Sequence, residues 1–346
     1  SIAGALPLFL RIAATPMVAY LADRSGNHRR VVIILAWSGL ATTVLLAQSV
    51  HLWPIILLST LMTLTTSSIM PLTETLAMRG VCAHGLDYGR MRLWGSISFI
   101  VATLIGGAAI ERWTGGAVIW LIVGAVALTA VAAHMLPRPE GSAASAAGTS
   151  RPRISCADVA ELVTSPLFLL FLAAAGLVQA AHAVFYVYGV LHWRGLGLSA
   201  TWTGALWAIA VVAEIVLFAH SGAVLKVMGP LALISLGATA AIARWIVMAF
   251  DPPLAALILL QILHALTFGA THFGTVHFIA QHISPERAGT AQALQASVTA
   301  GIAMGGATLL ARQLSAPYGA NAYLATAALA ALGLVAALLA QRRLNA

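Results

Sequence analysis

Apolar residues run through this chain in long blocks, parted by short polar breaks. Eleven blocks stand out, at about 2–21, 31–49, 54–78, 93–112, 117–136, 167–190, 203–225, 230–250, 254–280, 288–312 and 319–340. Each is near the roughly 20 residues a helix needs to cross a hydrocarbon core. The breaks hold residues that stop a helix or keep it in water. Asp23 to Arg30 is polar and charged, Asp251-Pro252-Pro253 cannot continue a helix, and Ser284-Pro285-Glu286-Arg287 combines both devices. The pattern predicts an all-α membrane protein.

The longest polar stretch, 137–166, divides five spans in 1–136 from six in 167–346. Its Gly/Ala/Ser-rich middle has too little bulk to bury and is expected to be disordered. Ser155-Cys156-Ala157-Asp158 can cap a short interfacial helix before Pro166. A faint repeat links the segments on either side. Ala19 to Gly26 has a degraded echo in Gly222 to Gly229, each placed after the second span of its half.

Composition supports the membrane assignment. Hydrophobic residues make up 60% and charged residues 8% of the 346, where a soluble domain carries about a quarter charged. Mean hydropathy is +0.94. The net charge of +8 does not signal nucleic acid, because the basic residues stand singly or in pairs at the ends of apolar runs. Cys82 and Cys156 fall in segments placed in the cytoplasm, so no disulfide framework is expected, and no CxxC or HExxH spacing suggests a metal.

Those basic residues set the orientation. With the 23–30 loop in the cytoplasm, 13 of the 18 Lys and Arg lie inside and three outside, while Arg11 and Arg244 lie within spans. The C-terminus is then cytoplasmic, in a multi-pass protein of the inner (plasma) membrane. Eleven spans would leave Ser1 outside with nothing to carry it there. Parity therefore predicts one preceding span, twelve in all and six in each half.

Specific stretches carry a family likeness. Leu21-Ala22-Asp23-Arg24-Ser25-Gly26-Asn27-His28-Arg29-Arg30 resembles the signature loop between the second and third helices of the major facilitator superfamily, with Ala19 where Gly is usual. Asp87-Tyr88-Gly89-Arg90-Met91-Arg92-Leu93-Trp94-Gly95-Ser96 looks like the motif of its phenylpropionate permease branch, related to oligosaccharide–proton and nucleoside–proton symporters. Pro71-Leu72-Thr73-Glu74, Gln179-Ala180-Ala181-His182, Val211-Val212-Ala213-Glu214 and Gln261-Ile262-Leu263-His264, followed by His272, fit the same branch. The resemblance implies that fold, with helices 2–12 of twelve present, and proton-driven uptake of a small aromatic acid.

Ionisable groups at membrane depth are costly and are functional candidates by default. Glu214, mid-span, can load and release a proton, with Arg244 either as its pairing partner or as a packing device. Gln179, His182 and Tyr186 form one helical stripe with an aromatic face, suited to a planar, partly polar solute or to helix packing. His264, Phe268 and His272 follow at i, i+4 and i+8. The layout is similar to that of lactose permease, except that Thr267 takes the place of an acid, so the proton route does not simply carry over. Arg11 is the counter-charge for an anionic substrate or half of a structural pair. Asp23, Arg24, Glu74, Asp87, Arg90 and Arg92 are the gating candidates, the charged loops forming a latch that breaks as the halves rock.

The expected function is a proton-coupled importer of a small aromatic or carboxylate solute. It needs no cofactor beyond the proton gradient, and its partners are solute, protons and lipid, as a monomer. A drug-efflux antiporter of the same fold is the alternative, although the polar groups look more specific than a promiscuous pocket needs. A membrane-embedded enzyme would require loop constellations such as GxSxG, which are absent, and no filter-like loop suggests a channel.

Overall fold

A computed structural model of the chain describes residues 2–112, 117–137 and 155–345. The expectation of disorder in the linker falls largely on 138–154, outside the described residues.

The described residues are helical and contain no strand. The helices are α1 (Ile2–Ser25), α2 (His28–Ala47), α3 (Leu52–His84), α4 (Tyr88–Arg112), α5 (Ala117–Ala133), α6 (Cys156–Thr164), α7 (Pro166–Ala180), α8 (Val190–Gly195), α9 (Ala200–Ala219), α10 (Ser221–Val227), α11 (Pro230–Met248), α12 (Leu254–Ile262), α13 (Thr271–His282), α14 (Ala288–Ala296), α15 (Met304–Tyr318) and α16 (Ala322–Asn345). Three π-helical segments, Phe185–Gly189, Ala265–Ala270 and Ser297–Ala303, interrupt the helical runs.

Among the described residues, seven continuous runs are long and apolar enough to cross a membrane, and Val118–Ala133 is a shorter apolar helix. One of the seven, Ala288–Asn345, spans two of the expected blocks because helix continues almost unbroken through the Gly319 turn. Large apolar side chains stay exposed along the helices, Trp53 at 78% and Trp94 at 68% among them. Such surfaces belong in lipid.

The sequence markers act where expected. Asn27 caps α2 by accepting the Arg30 N–H at 3.0 Å. Ser165 and Ser199 cap α7 and α9, and Pro166 and Pro230 occupy first-turn positions that have no N–H to satisfy. Ser155 and Asp158 exchange hydrogen bonds at the start of α6, the expected capping pair. α3 tolerates its run of Ser and Thr because Thr60, Thr63, Ser68 and Thr75 donate to carbonyls four residues back. Gly301 and Gly305 form a GxxxG spacing, but an added β carbon at Gly305 would meet nothing within 4 Å, so no tight crossing falls there.

Two compact units emerge. One comprises 1–83, 101–161 and 282–297; the other comprises 84–100, 162–281 and 298–346. In the first, α2 packs on α5 and α1 on α14. In the second, α16 packs against both α7 and α11 around Phe185, Trp193, Trp245 and Tyr323. Each unit thus includes a short segment from the far side of the linker.

Candidate functional site

The second unit gathers most of the polar residues that the sequence singles out. α11 approaches the Ala265–Ala270 segment closely at Gly237, where a β carbon would stand 2.8 Å from the Leu266 carbonyl oxygen. That approach sets Arg244, two turns along α11, against the residues around His264.

Arg244 is fully buried. Its Nη2 donates to Gln261 Oε1 at 2.8 Å, and its Nη1 faces Thr267 Oγ1 at 3.1 Å and His264 Nδ1 at 3.3 Å. Phe185 and Trp245 flank the guanidinium, their ring centres 5.0 and 4.6 Å from it. His182, also fully buried, places Nε2 3.0 Å from Thr267 Oγ1 and Nδ1 3.1 Å from the Gln179 carbonyl.

These partners assign the tautomers. His182 Nδ1 faces an acceptor and carries the proton, leaving Nε2 to accept from the Thr267 hydroxyl. His264 Nδ1 faces a guanidinium N–H and must be the acceptor, which leaves the proton on Nε2. That nitrogen lies 3.8 Å from Glu214 Oε2. Glu214, 6% exposed, takes a hydrogen bond from Ser96 Oγ at 2.9 Å on its other oxygen.

The expected stripes are both present. His182 stacks on Tyr186, His264 on Phe268, and Phe268 on His272. The rings of His182 and His264 meet edge to face at 5.6 Å. Gln179 reaches the Phe268 carbonyl at 3.4 Å, and His272 shares a 3.0 Å hydrogen bond with the Tyr88 hydroxyl. Tyr186 stays 40% exposed. His182 lies within a two-residue break in the helix and His264 follows a one-residue break; both end a Gln-x-x-His sequence and precede a π segment. Such segments occur often at functional sites.

Arg244 does not pair with Glu214. Of the two roles left open for Arg244, direct pairing gives way to contacts with Gln261, Thr267 and His264, with His264 standing between the two charges. Arg11 lies half-buried on α1 in the first unit and has no polar partner among the described residues.

The gating candidates divide between the units. In the first, buried Asp23 accepts from His28 Nε2 at 2.7 Å and from the backbone N–H and hydroxyl of Thr290 in the first turn of α14, with Arg79 at 3.8 Å. A carboxylate at a helix N-terminus satisfies an orphan N–H and the helix dipole together. Arg24 is exposed and Glu74 is buried on α3. In the second unit, Asp87 accepts from Ser221 at 3.2 Å and stands 3.8 Å from Arg90, while Arg92 lies over the Phe218 ring at 5.6 Å. Ser96, Gln261, Thr267, Thr290 and Ser221 complete these networks, although none has a charge to mark it in the sequence.

The profile of the MFS_1 like family matches residues 2–310. The chain is 31% identical over 208 residues to the probable 3-phenylpropionic acid transporter of Escherichia coli, a match covering 60% of this chain and 53% of that protein. It is 29% identical over 253 residues to the maltose permease of Geobacillus stearothermophilus, covering 72% of this chain and 61% of the permease. The chain thus spans less than two thirds of the length of these relatives. Among solved structures, the human organic anion transporter MFSD10 (TETRAN) superposes with a TM-score of 0.73 at 13% identity, over 97% of this chain and 83% of that one. A mutant of the nucleoside transporter NupG gives 0.65 at 16% identity, over 98% and 89%. At these identities the likeness is one of fold. With the family profile matching most of its length, this chain of membrane-type helices belongs to the MFS_1 like family, within the major facilitator superfamily.

Proposed function

We propose that the chain belongs to a proton-coupled importer of a small aromatic carboxylate solute, working by alternating access in the inner membrane. One observation carries this reading: a buried network joins Glu214, His264, Arg244 and His182 beside the partly open aromatic face of Tyr186 and Phe268. Intramembrane charges of this kind mark substrate and proton pathways. The relative named as a 3-phenylpropionic acid transporter supports an aromatic acid as the solute class.

Glu214 is the proton-coupling carboxylate, tuned by His264 and Arg244. Gln179, His182, Tyr186, His264, Phe268 and His272 contact the solute, and Arg11 supplies a cation toward it. Asp23, Arg24, Glu74, Asp87, Arg90 and Arg92 gate the cytoplasmic side. The sequence halves 1–136 and 167–346 rock about the linker, with the C-terminus in the cytoplasm, and the monomer is the working unit. Uptake of labelled phenylpropionate, a nucleoside and a disaccharide, each with and without a protonophore, tests the reading. Protonophore-sensitive uptake of phenylpropionate is the expected result, and uptake indifferent to the protonophore would remove proton coupling.

A further inference from the structure

The buried carboxylates Asp23 and Glu214 each have a histidine and a hydroxyl against them. Among the described residues, Arg244 makes no direct contact with a group of opposite charge. Its three partners are an amide oxygen, a hydroxyl and a ring nitrogen, all neutral, and its Nε has no partner. Gln261 is itself fully buried. It gives its oxygen to Arg244, and its Nε2 is also unpartnered. The indole N–H of Trp245 and the hydroxyl of Tyr323, on rings stacked at 5.7 Å, lack partners as well.

The surplus here is of donors, grouped around a permanent positive charge. A buried cation without a counter-charge is costly, and so is each buried donor left unmade. A cation would add to the first cost and a neutral solute would leave it standing, whereas an anion removes both. The backbone also departs from the α-helix on two sides, at Phe185–Gly189 and Ala265–Ala270. Irregular backbone at membrane depth is tolerated where it is buried in protein or lines a cavity.

We propose that Arg244 and Gln261 form a small-anion subsite, and that its occupant is the carboxylate of the aromatic solute. This rests on the transport reading, which gives the solute a carboxylate and until now only Arg11 to meet it. A carboxylate can take the guanidinium fork and the Gln261 amide together. The aromatic part of the solute then reaches toward Phe268 and Tyr186, the partly open faces of the same network. An inorganic ion such as chloride shares the chemistry and is the second source to be separated.

Full-length protein in mild detergent is titrated with 3-phenylpropionate, with its uncharged amide and with sodium chloride. Calorimetry and tryptophan fluorescence read the binding, Trp245 being a probe in contact with the guanidinium. Wild type should bind the acid at least about tenfold more tightly than the amide. Arg244→Gln should bring that ratio near one, and Arg244→Lys should keep part of it. A ratio of affinities does not move with the fraction of folded protein. Chloride that competes with the acid in wild type but not in Arg244→Gln places both at this subsite. Chloride binding that needs Arg244, with no acid preference in wild type, keeps the anion site and makes its occupant inorganic. A wild-type ratio in Arg244→Gln, or a wild type that binds neither acid nor chloride, overturns the inference. Intact acid binding without uptake in proteoliposomes would instead count against the transport reading alone.

Discussion

His182 Nε2 lies 3.0 Å from the Thr267 hydroxyl, the same oxygen to which Arg244 donates at 3.1 Å. One methyl-bearing side chain therefore links the histidine of the first Gln-x-x-His sequence to the cation beside the second. Thr267 holds both by giving its single proton to His182 and its lone pair to Arg244.

Replacing Thr267 by Val keeps the shape and removes that oxygen. A buried ring nitrogen and a buried guanidinium N–H then lose their shared partner, at a cost of about 1–3 kcal/mol. Thr267→Ser restores the hydroxyl and should recover most of the loss. Thermal unfolding of the solubilised variants checks this, with Val expected several degrees below Ser, and equal midpoints contradict the assigned role.

Much of this fold was legible because lipid demands simple patterns. Apolar blocks near 20 residues and Pro and Ser at helix starts mark helices without any tertiary knowledge. The stripes at Gln179, His182 and Tyr186 and at His264, Phe268 and His272 followed from helical spacing alone. Arg244 was found as a candidate, but its partners were not, because charge complementarity pointed to Glu214 and the neutral groups at Gln261 and Thr267 gave no comparable signal. Ser96 was hidden for a related reason. Serines and threonines in these helices mostly donate to their own backbone, as Thr75 does, and nothing local sets Ser96 apart. The π segments have no sequence pattern, since they arise where packing forces one extra residue into a turn.

Asp23 meets the first turn of α14 only because Gly289 leaves room. A β carbon at 289 would stand 2.6 Å from Asp23 Oδ1 and 2.8 Å from His28 Nε2. Gly289→Ala should therefore loosen the same contact as Asp23→Asn, which puts an amide N–H₂ among donors. Both variants should raise the reactivity of a cysteine placed at Thr290 toward a permeant thiol reagent. If Gly289→Ala leaves that reactivity at the parent level, the contact does not hold the gate closed.

The linker helix is tethered by charge. Arg287 donates to Glu161 Oε2 at 2.9 Å and to Asp158 Oδ1. The Asp158 carboxyl is held below its ordinary value of 3.8 by the Ser155 backbone N–H first, then by the Ser155 hydroxyl and Arg287. A carboxyl lowered on folding contributes its stability fully above that ordinary value and loses it as pH falls through the lower folded one. Proteolysis at α6 should accordingly rise as pH falls below about 4, using an acid-active protease, and should rise at neutral pH in Arg287→Gln. Cleavage unchanged by that substitution would mean that α6 is held by other contacts.

Orientation has a native probe, because Cys82 is exposed at the end of α3. An impermeant maleimide should label it in inverted vesicles and not in intact cells, with a cysteine at exposed Arg194 behaving the opposite way. Labelling of Cys82 from outside would reverse the assigned topology.

Proton coupling at Glu214 is tested most directly by Glu214→Gln in full-length protein, reconstituted in proteoliposomes with an imposed pH gradient. The Gln carbonyl still accepts from Ser96, so that contact is kept while the carboxylate is gone. Uphill accumulation of 3-phenylpropionate should be abolished and exchange down the solute's own gradient retained. Undiminished uphill accumulation by the variant would place proton coupling elsewhere in the molecule.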